Sequence, residues 1–283
     1  MIIVEKRNKQ CFFDIETERK IIQDYKKGEG GATYLKNKYK ANSEATIYRI
    51  LRAYGVPRRS LSEARRAACK YEIDEKAFEN IDTREKAYWL GIMYTDGYIC
   101  KAQEYTNYVG LSISEKDIDL LEKFKVFLKY SGEIKHYKVS SGYKIGTPYV
   151  RLRIGNNKLV ADLEKWGVVE HKTKIINGMP DIPYKMDFIR GVIDGDGSLY
   201  KRLPNIRICG NYDFLLSIAE YLQLPYRIRP DRSIWDLCYN TQESRYLEKV
   251  LYKDAPVYLN RKYEIAKRSF NSPITLEDVK EKK

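Results

Sequence analysis

Two aspartates that lie 100 positions apart, Asp96 and Asp196, are the residues of this chain best suited to carry chemistry. Each ends a similar stretch, since residues 89–97 read WLGIMYTDG and residues 189–197 read IRGVIDGDG. Two carboxylates held close together either repel each other or share a divalent cation, and hard oxygen ligands suit Mg²⁺. The repeat therefore predicts a divalent-metal site to which each copy contributes one carboxylate.

Each aspartate follows an apolar run that predicts a helix, and residues that favour strands come next. Gly91 and Gly191 lie inside these runs, where glycine costs a helix about 1 kcal/mol relative to alanine. Close approach of two backbones is the usual reason for such a glycine, so we expect the two helices to pack against each other at Gly91 and Gly191. This packing would bring Asp96 and Asp196 side by side. An Asp-Gly pair is also a common turn, but two pairs in matched surroundings favour function.

The paired stretches resemble the two signature motifs of a single-chain LAGLIDADG homing endonuclease, over roughly residues 80–270. The second copy keeps both acids of the motif, whereas the first has Tyr94 in place of the earlier one. That position is not a metal ligand in the family, so Tyr94 affects only a contact at the helix end. The resemblance implies that Asp96 and Asp196 bind Mg²⁺ or Mn²⁺, with backbone near Gly97 and Gly197 as further candidate ligands.

One lysine follows the last helix of each half, Lys172 in the first and Lys262 in the second. Both positions resemble the basic residues that line the cleavage pocket of the family. They would order water or offset charge at the scissile phosphates. Because the chain has 52 basic residues, ordinary surface lysines are the alternative reading of these two positions, and Arg153 and Arg232 are then the candidate pocket residues.

The periodicity of residues 80–270 predicts the order α-β-β-α-β-β-α twice, and hence an α+β fold. A capping box, with Asp82 as N-cap and Glu85 three residues later, opens the first motif helix. A long helix is expected at 115–130. In residues 150–154, apolar residues alternate with Arg151 and Arg153, which predicts a sheet with one buried and one basic face. The resemblance adds a pseudo-twofold axis between the halves and saddle-like antiparallel sheets.

Base and phosphate contacts are expected from the exposed faces of these sheets, as in β-ribbon readers of the major groove. The basic candidates on predicted strands or turns are Lys101, Lys135, Lys138, Lys144, Arg151, Arg153, Lys201, Arg202, Arg207, Arg227 and Arg229.

The composition supports a polyanionic partner. The chain of 283 residues has a net charge of +13 and 25 tyrosines, which is typical of nucleic-acid binding. The five cysteines are dispersed, which argues against a disulfide framework or a zinc ribbon. No apolar run approaches the roughly 20 residues of a membrane span. We expect an intracellular protein, cytoplasmic or nucleoid-associated, that binds no membrane.

The first 70 residues carry 17 basic and 8 acidic residues, an excess of nine positive charges. They predict three short helices, with Ser43 as the N-cap of the third, and resemble a helix-turn-helix of the resolvase or homeodomain-like type. This resemblance implies that the third helix faces the major groove and that the two arginines after it meet phosphates. The residues concerned are Ser43, Glu44, Thr46, Tyr48, Arg49, Arg58 and Arg59. An ordinary three-helix bundle with a solvated polar face is the alternative.

These observations predict four parts: a helix-turn-helix domain with linker at 1–70, LAGLIDADG units at 80–178 and 179–270, and a charged tail at 271–283. The resemblance implies a monomeric, Mg²⁺-dependent, site-specific endonuclease that cuts double-stranded DNA at a long pseudo-palindromic target and needs no protein partner. Two alternatives stay open: a non-cleaving transcriptional regulator on the same scaffold, and an intron-RNA maturase.

Overall fold

The computed structural model describes residues 13–28, 30–60, 63, 71–101, 106–142, 144–170 and 175–280. The chain forms two compact units, Met1–Glu72 and Ile73–Lys283.

In the described part of the first unit, three helices surround one small core. They are α1 (Ile15–Lys27), α2 (Ala32–Lys38) and α3 (Glu44–Ala53). Ile21, Leu35 and Ile47 are fully buried between them. The backbone N–H of Thr46 donates to Ser43 Oγ, so Ser43 caps α3 as the sequence predicts.

The second unit contains two halves with the predicted order αββαββα. The first half comprises α4 (Arg84–Tyr94), β1 (Gly97–Cys100), β2 (Tyr108–Ser114), α5 (Ile118–Phe127), β3 (Lys135–Lys138), β4 (Pro148–Gly155) and α6 (Asn157–Lys165). The second comprises α7 (Lys185–Asp196), β5 (Gly197–Leu199), β6 (Ile206–Gly210), α8 (Tyr212–Leu222), β7 (Arg227–Asp231), β8 (Ile234–Tyr239) and α9 (Thr241–Tyr252). Two further helices follow, α10 (Asn260–Ala266) and α11 (Leu276–Lys280).

Each half contains one four-stranded antiparallel sheet, and the two sheets have equivalent strand orders, β1-β2-β4-β3 and β5-β6-β8-β7. In β4 the alternation expected from the sequence is present: Val150, Leu152 and Ile154 are buried, whereas Arg151 and Arg153 lie on the other face. One hydrophobic core joins both sheets to α4 and α7.

Some element ends differ from the sequence prediction. The N-cap of α4 is Thr83 rather than Asp82, because the Thr83 hydroxyl accepts from the backbone N–H of Lys86 at 3.2 Å. The predicted capping box is therefore absent, and Asp82 instead forms an ion pair with the Lys86 side chain. The helix expected at 115–130 is shorter than predicted. Residues Glu115–Asp117 form one 3₁₀ turn, and the α-helix that follows ends at Phe127.

The predicted charged tail contains an element that packs on the core. Helix α11 buries Val279, which is 1% exposed. No helix among the described residues is long and apolar enough to cross a membrane.

Candidate active site

Helices α4 and α7 pack backbone to backbone at their glycines. A Cβ atom placed on Gly91 would lie 2.2 Å from the carbonyl oxygen of Phe188, and one on Gly191 would lie 2.2 Å from that of Tyr88. Each glycine Cα lies 3.0 Å from the Cβ position of the other. No side chain fits at either position without separating the helices.

The same pair of helices meets again near the aspartates. A Cβ on Gly195 would lie 1.9 Å from Thr95 Oγ1, so the residues just before the two aspartates are in contact. Because Gly91 meets Gly191 and Thr95 meets Gly195, the two helices run parallel and end together. Helix α7 reaches Asp196, whereas α4 ends at Tyr94, two residues before Asp96. The half-buried Asp96 and the exposed Asp196 therefore lie at adjacent positions, each just before a strand.

The donor set at this point fits Mg²⁺ or Mn²⁺. Mg²⁺ is commonly held by one or two carboxylates, with water and substrate phosphates completing its shell. Among the described residues, no group of three or more His, Cys, Asp or Glu side chains could hold a metal without such a substrate. Asp96 and Asp196 supply two carboxylates, the number that such a shared site requires.

The earlier acid of the second motif, Asp194, is a buried anchor. Its carboxylate accepts from Tyr88 Oη at 2.8 Å, from Tyr252 Oη at 2.7 Å and from the backbone N–H of Leu259 at 2.8 Å. Burial raises the pKa of Asp194, while the nearby Lys262 and these hydrogen bonds oppose that rise. The residue ties α7 to α4, to α9 and to the segment that precedes α10.

Tyr94 takes the equivalent place in the first half. Its hydroxyl donates to the carbonyl oxygen of Trp166, just after α6, and its ring packs edge-on against Phe188. Burial raises the pKa of Tyr94 to about 12, so the side chain is neutral. A neutral hydroxyl in the first half therefore makes the helix-end contact that a carboxylate makes in the second.

Lys262 lies inside the protein rather than on the wall of a pocket. It is 1% exposed, and its Nζ donates to the carbonyl oxygens of Ile193, Asp194 and Gly197 at 2.6, 2.7 and 2.7 Å. Burial lowers its pKa to about 8, against the attraction of Asp194. The expectation that its side chain meets a phosphate is corrected, because all three ammonium hydrogens have protein acceptors. Lys172 lies outside the described residues.

A cavity of about 390 Å³ opens beside Asp96. Arg261 and Asp117 line it, together with Ser112 and Tyr149. Arg261 donates from Nε to Asp117 at 2.8 Å, and its side chain remains 56% exposed. Arg261 is not among the pocket residues predicted from the sequence, although it directly precedes Lys262. The alternative pocket residue Arg232 lies in the turn between β7 and β8, not on a strand.

The exposed face of the first sheet is basic and aromatic. Lys135 pairs with Arg151 across β3 and β4, and Arg151 donates to Ser112 at 3.0 Å. The Arg153 guanidinium stacks on Tyr108 at 3.9 Å. None of the strand residues on this face is acidic.

Other candidates near this sheet differ in their surroundings. Lys135, which pairs with Arg151, lies on the same face of β3 as Tyr137. Lys138 is the next residue along the strand and therefore points to the opposite side of the sheet. Lys101 forms an ion pair with Glu164 at 2.5 Å. Lys144 lies exposed in the turn between β3 and β4.

The second sheet carries a more balanced charge. Arg207 forms ion pairs with Asp231 at 2.6 Å and Asp236 at 2.5 Å, and its hydrogen bond with Asp236 raises its pKa further. Arg227 and Arg229 are exposed on β7 of the same face. Lys201 and Arg202 are exposed in the segment between β5 and β6 rather than on a strand.

In the first unit, two expected DNA contacts are corrected. Thr46 is only 5% exposed, because its side chain is buried in the bundle, where its hydroxyl lies 3.3 Å from that of Ser43. The guanidinium of Arg59 stacks on Tyr25 at 3.9 Å and donates to the carbonyl oxygen of Gly30, so it holds the unit together.

Three other candidates of this unit remain near the surface. Arg49 is exposed on α3 and Tyr48 is half-buried, while the exposed Arg58 lies 4.0 Å above the Tyr48 ring. The cap residue Ser43 is half-buried.

Comparison with known proteins gives similarity at the level of structure. No family model matches the chain, and no curated protein matches it either. The homing endonuclease I-WcaI bound to its DNA recognition sequence has a TM-score of 0.52 at 11% identity, over 65% of this chain and 87% of that one. I-DmoI in complex with DNA and Ca has a TM-score of 0.45 at 16% identity, over 69% of this chain and 98% of that one. The LAGLIDADG meganuclease I-AabMI bound to uncleaved DNA has a TM-score of 0.43 at 13% identity, over 63% of this chain and 86% of that one. The similarity to I-WcaI shows that this chain shares the fold of that homing endonuclease over about two thirds of its length.

Proposed function

We propose that this protein is a site-specific endonuclease that cuts both strands of a DNA duplex with the help of a divalent metal. The observation that carries the proposal is the parallel, glycine-packed pair of helices α4 and α7. This pair ends with one carboxylate from each half, Asp96 and Asp196, at adjacent positions. A site with two related halves suits a substrate with two related strands.

Mg²⁺ or Mn²⁺, when bound, polarises a phosphoryl oxygen and lowers the pKa of an attacking water. Asp96 and Asp196 would hold this metal, each carboxylate serving one strand. Arg261 would offset phosphate charge at the cavity beside Asp96. Tyr94 and Asp194 hold the two helix ends in place, so that the carboxylates need little rearrangement when DNA binds.

The exposed sheet faces would contact the duplex in its major grooves, with Lys135, Arg151 and Arg153 as the main basic residues of the first sheet. We further propose that the first unit is a helix-turn-helix module whose helix α3 adds affinity through Arg49 and Arg58. The enzyme would act as a monomer, because one chain supplies both halves of the site.

The test is cleavage of a randomised duplex library with Mg²⁺ by the parent protein, Asp96→Asn, Asp196→Asn and the control Asp181→Asn. Asp181 is a fully exposed carboxylate that pairs with Lys185. We expect the parent and Asp181→Asn to cut a defined sequence, and expect either motif variant to bind it without making double-strand breaks.

Selective duplex binding by the parent without cutting, under Mg²⁺ or Mn²⁺, would instead favour a regulator. The exposed basic side chains of α3 would serve that function equally well. Tighter binding of structured RNA than of duplex DNA at the same salt concentration would favour the maturase alternative.

A further inference from the structure

We propose that Asp231 is a base-reading residue of the second sheet: its carboxylate accepts a hydrogen bond from the N4 amino group of one cytosine in the major groove of the target duplex. Under the proposed function, on which this inference rests, the exposed sheet faces contact duplex DNA. Asp231 would then select one C·G base pair of the target.

Asp231 lies on the face of the second sheet that points away from the core. Residues two apart along a strand point to the same side, so Asp231 shares its face with Arg229 on β7. Arg229 is the partner of Asp236 in β8, which places Asp236 on this face too. Leu237 and its partner Ile208 are fully buried on the opposite face. Asp231 therefore belongs to the surface that meets the duplex in the proposed complex.

One oxygen of the Asp231 carboxylate is held by the protein, and the other is available. Arg207 Nη2 donates to Asp231 Oδ2 at 2.6 Å and contacts Asp236 Oδ2 at 2.5 Å. Asp236 is only 6% exposed, and its Oδ1 accepts from Cys209 Sγ at 3.2 Å. The side chain of Asp231 is 42% exposed, and its Oδ1 accepts no hydrogen bond from the part of the chain that the structure describes. Of the two carboxylates, Asp231 is the one that can accept from a ligand in the groove.

The major-groove edges of the four bases offer different groups to a carboxylate. Phosphates are anions and repel it, so its favourable partners in DNA are the amino groups of the bases. Guanine presents only acceptors in this groove, and thymine presents an acceptor and a methyl group. Adenine presents an amino group beside the acceptor N7, which would repel the carboxylate, whereas cytosine presents its N4 amino group without such an acceptor. Cytosine is therefore the best match for Asp231.

The first sheet has no equivalent acceptor. None of the strand residues on its exposed face is acidic, and its charged groups are those of Lys135, Arg151 and Arg153. Such donors match the acceptors of guanine rather than an amino group. Asp231 thus gives the second half a type of base contact that the first half lacks.

The experiment selects binding sites from a randomised duplex library in buffer without divalent cations, so that cleavage does not affect the result. It compares the parent with Asp231→Asn and Asp231→Ala. Asp181→Asn is the matched control, because Asp181 is an exposed aspartate that also forms an ion pair, with Lys185, but lies outside both sheets.

The three side chains at position 231 predict three different base preferences. We expect the parent to favour a C·G pair about tenfold over the other pairs at one position of its site. Asparagine both accepts and donates, which suits N7 and N6 of adenine, so Asp231→Asn should favour an A·T pair at that position. Asp231→Ala should show no preference there. The control Asp181→Asn should keep the preferences of the parent at every position.

If Asp231 only forms a structural ion pair with Arg207, its variants should behave differently. Asp231→Asn and Asp231→Ala would then change the affinity for all duplexes alike and keep every base preference of the parent. This result would overturn the proposal, as would an equal change of preference in Asp181→Asn.

Failure of the proposal is distinguishable from failure of the proposed function. If the parent selects a defined sequence and both variants at position 231 select the same one, only the role of Asp231 is wrong. If the parent selects no duplex, with or without Mg²⁺, the proposed function is wrong and the role of Asp231 with it.

Discussion

The two halves of the second unit share one topology but differ in where they place charge. The strand orders are equivalent and the motif glycines are interchangeable in their contacts. The first half ends its motif helix with the neutral Tyr94, whereas the second uses the buried Asp194 beside Lys262. The first sheet exposes arginines without strand carboxylates, whereas the second pairs Arg207 with two aspartates.

The comparison distinguishes contacts that the fold requires in both halves from contacts that can differ between the halves. Backbone contact at the glycines must be preserved in both halves, because it sets the distance between the helices. Hydrogen bonds at the helix ends and charges on the sheets can diverge, since many side chains satisfy the same backbone groups. A pseudo-symmetric frame can therefore present asymmetric surfaces to the two ends of a duplex.

The largest effect is expected where the halves are equivalent. Gly91→Ala and Gly191→Ala should each destabilise the protein by about 3 kcal/mol or more, because the added methyl overlaps a backbone carbonyl of the facing helix. Urea unfolding measures this. Gly178→Ala is the control, since its Cβ would meet Ser217 only at 3.8 Å. A clear difference between Gly91→Ala and Gly191→Ala would contradict the equivalence.

The next effect compares the two helix-end contacts. Asp194→Asn should cost about 2–3 kcal/mol of stability, because the buried carboxylate accepts three hydrogen bonds and lies near Lys262. Tyr94→Phe should cost only about 1 kcal/mol, since it loses one neutral hydrogen bond to a carbonyl. Unfolding in urea at neutral pH would reveal the ranking. Equal losses of stability in the two variants would contradict the difference between a charged contact at Asp194 and a neutral contact at Tyr94.

A smaller effect is expected at the sheet faces, if they bind duplex DNA as proposed. Arg153→Ala should weaken duplex binding about tenfold and lower the salt dependence by about one phosphate contact. Arg207→Ala should change affinity less, because Asp231 and Asp236 already neutralise its charge. Binding isotherms at several salt concentrations check this. A stronger loss in Arg207→Ala would reverse our assignment of the two faces.

The smallest effect concerns neighbouring arginines of the first unit. Arg59→Ala should lower the stability of this unit by about 1 kcal/mol, since its guanidinium binds the backbone carbonyls of Gly30 and Tyr25 and stacks on the Tyr25 ring. Arg58→Ala should leave stability unchanged and affect only DNA binding. Thermal unfolding and duplex titration of both variants separate the two roles. Destabilisation by Arg58→Ala would show that its contact with Tyr48 is structural.

Much of the fold was predictable because local pattern determined it. The alternation in residues 150–154 predicted the buried and the basic face of β4, as the structure has them. The cap of α3 at Ser43 also followed from residue type. The start of α4 did not, because Asp82 and Thr83 are both good N-caps and only the backbone geometry chooses between them.

The site was less predictable where contacts are long-range. In the sequence, Lys262 resembles a surface lysine because it lies in a basic segment. Its burial against α7 therefore could not be predicted from the neighbouring residues. The pairing of Arg207 with Asp231 and Asp236 depends on the register of three strands. Asp194 has partners from positions 88, 252 and 259, which only the folded chain brings together.

The central claim is that each half contributes one carboxylate that serves one strand of a duplex. The most direct measurement is strand-resolved cleavage on denaturing gels with Mg²⁺, using the parent, Asp96→Asn and Asp196→Asn on one cognate duplex. We predict that the parent cuts both strands and that the two variants nick opposite strands. Tight binding by the parent with neither strand cut, under any divalent metal, would contradict the claim.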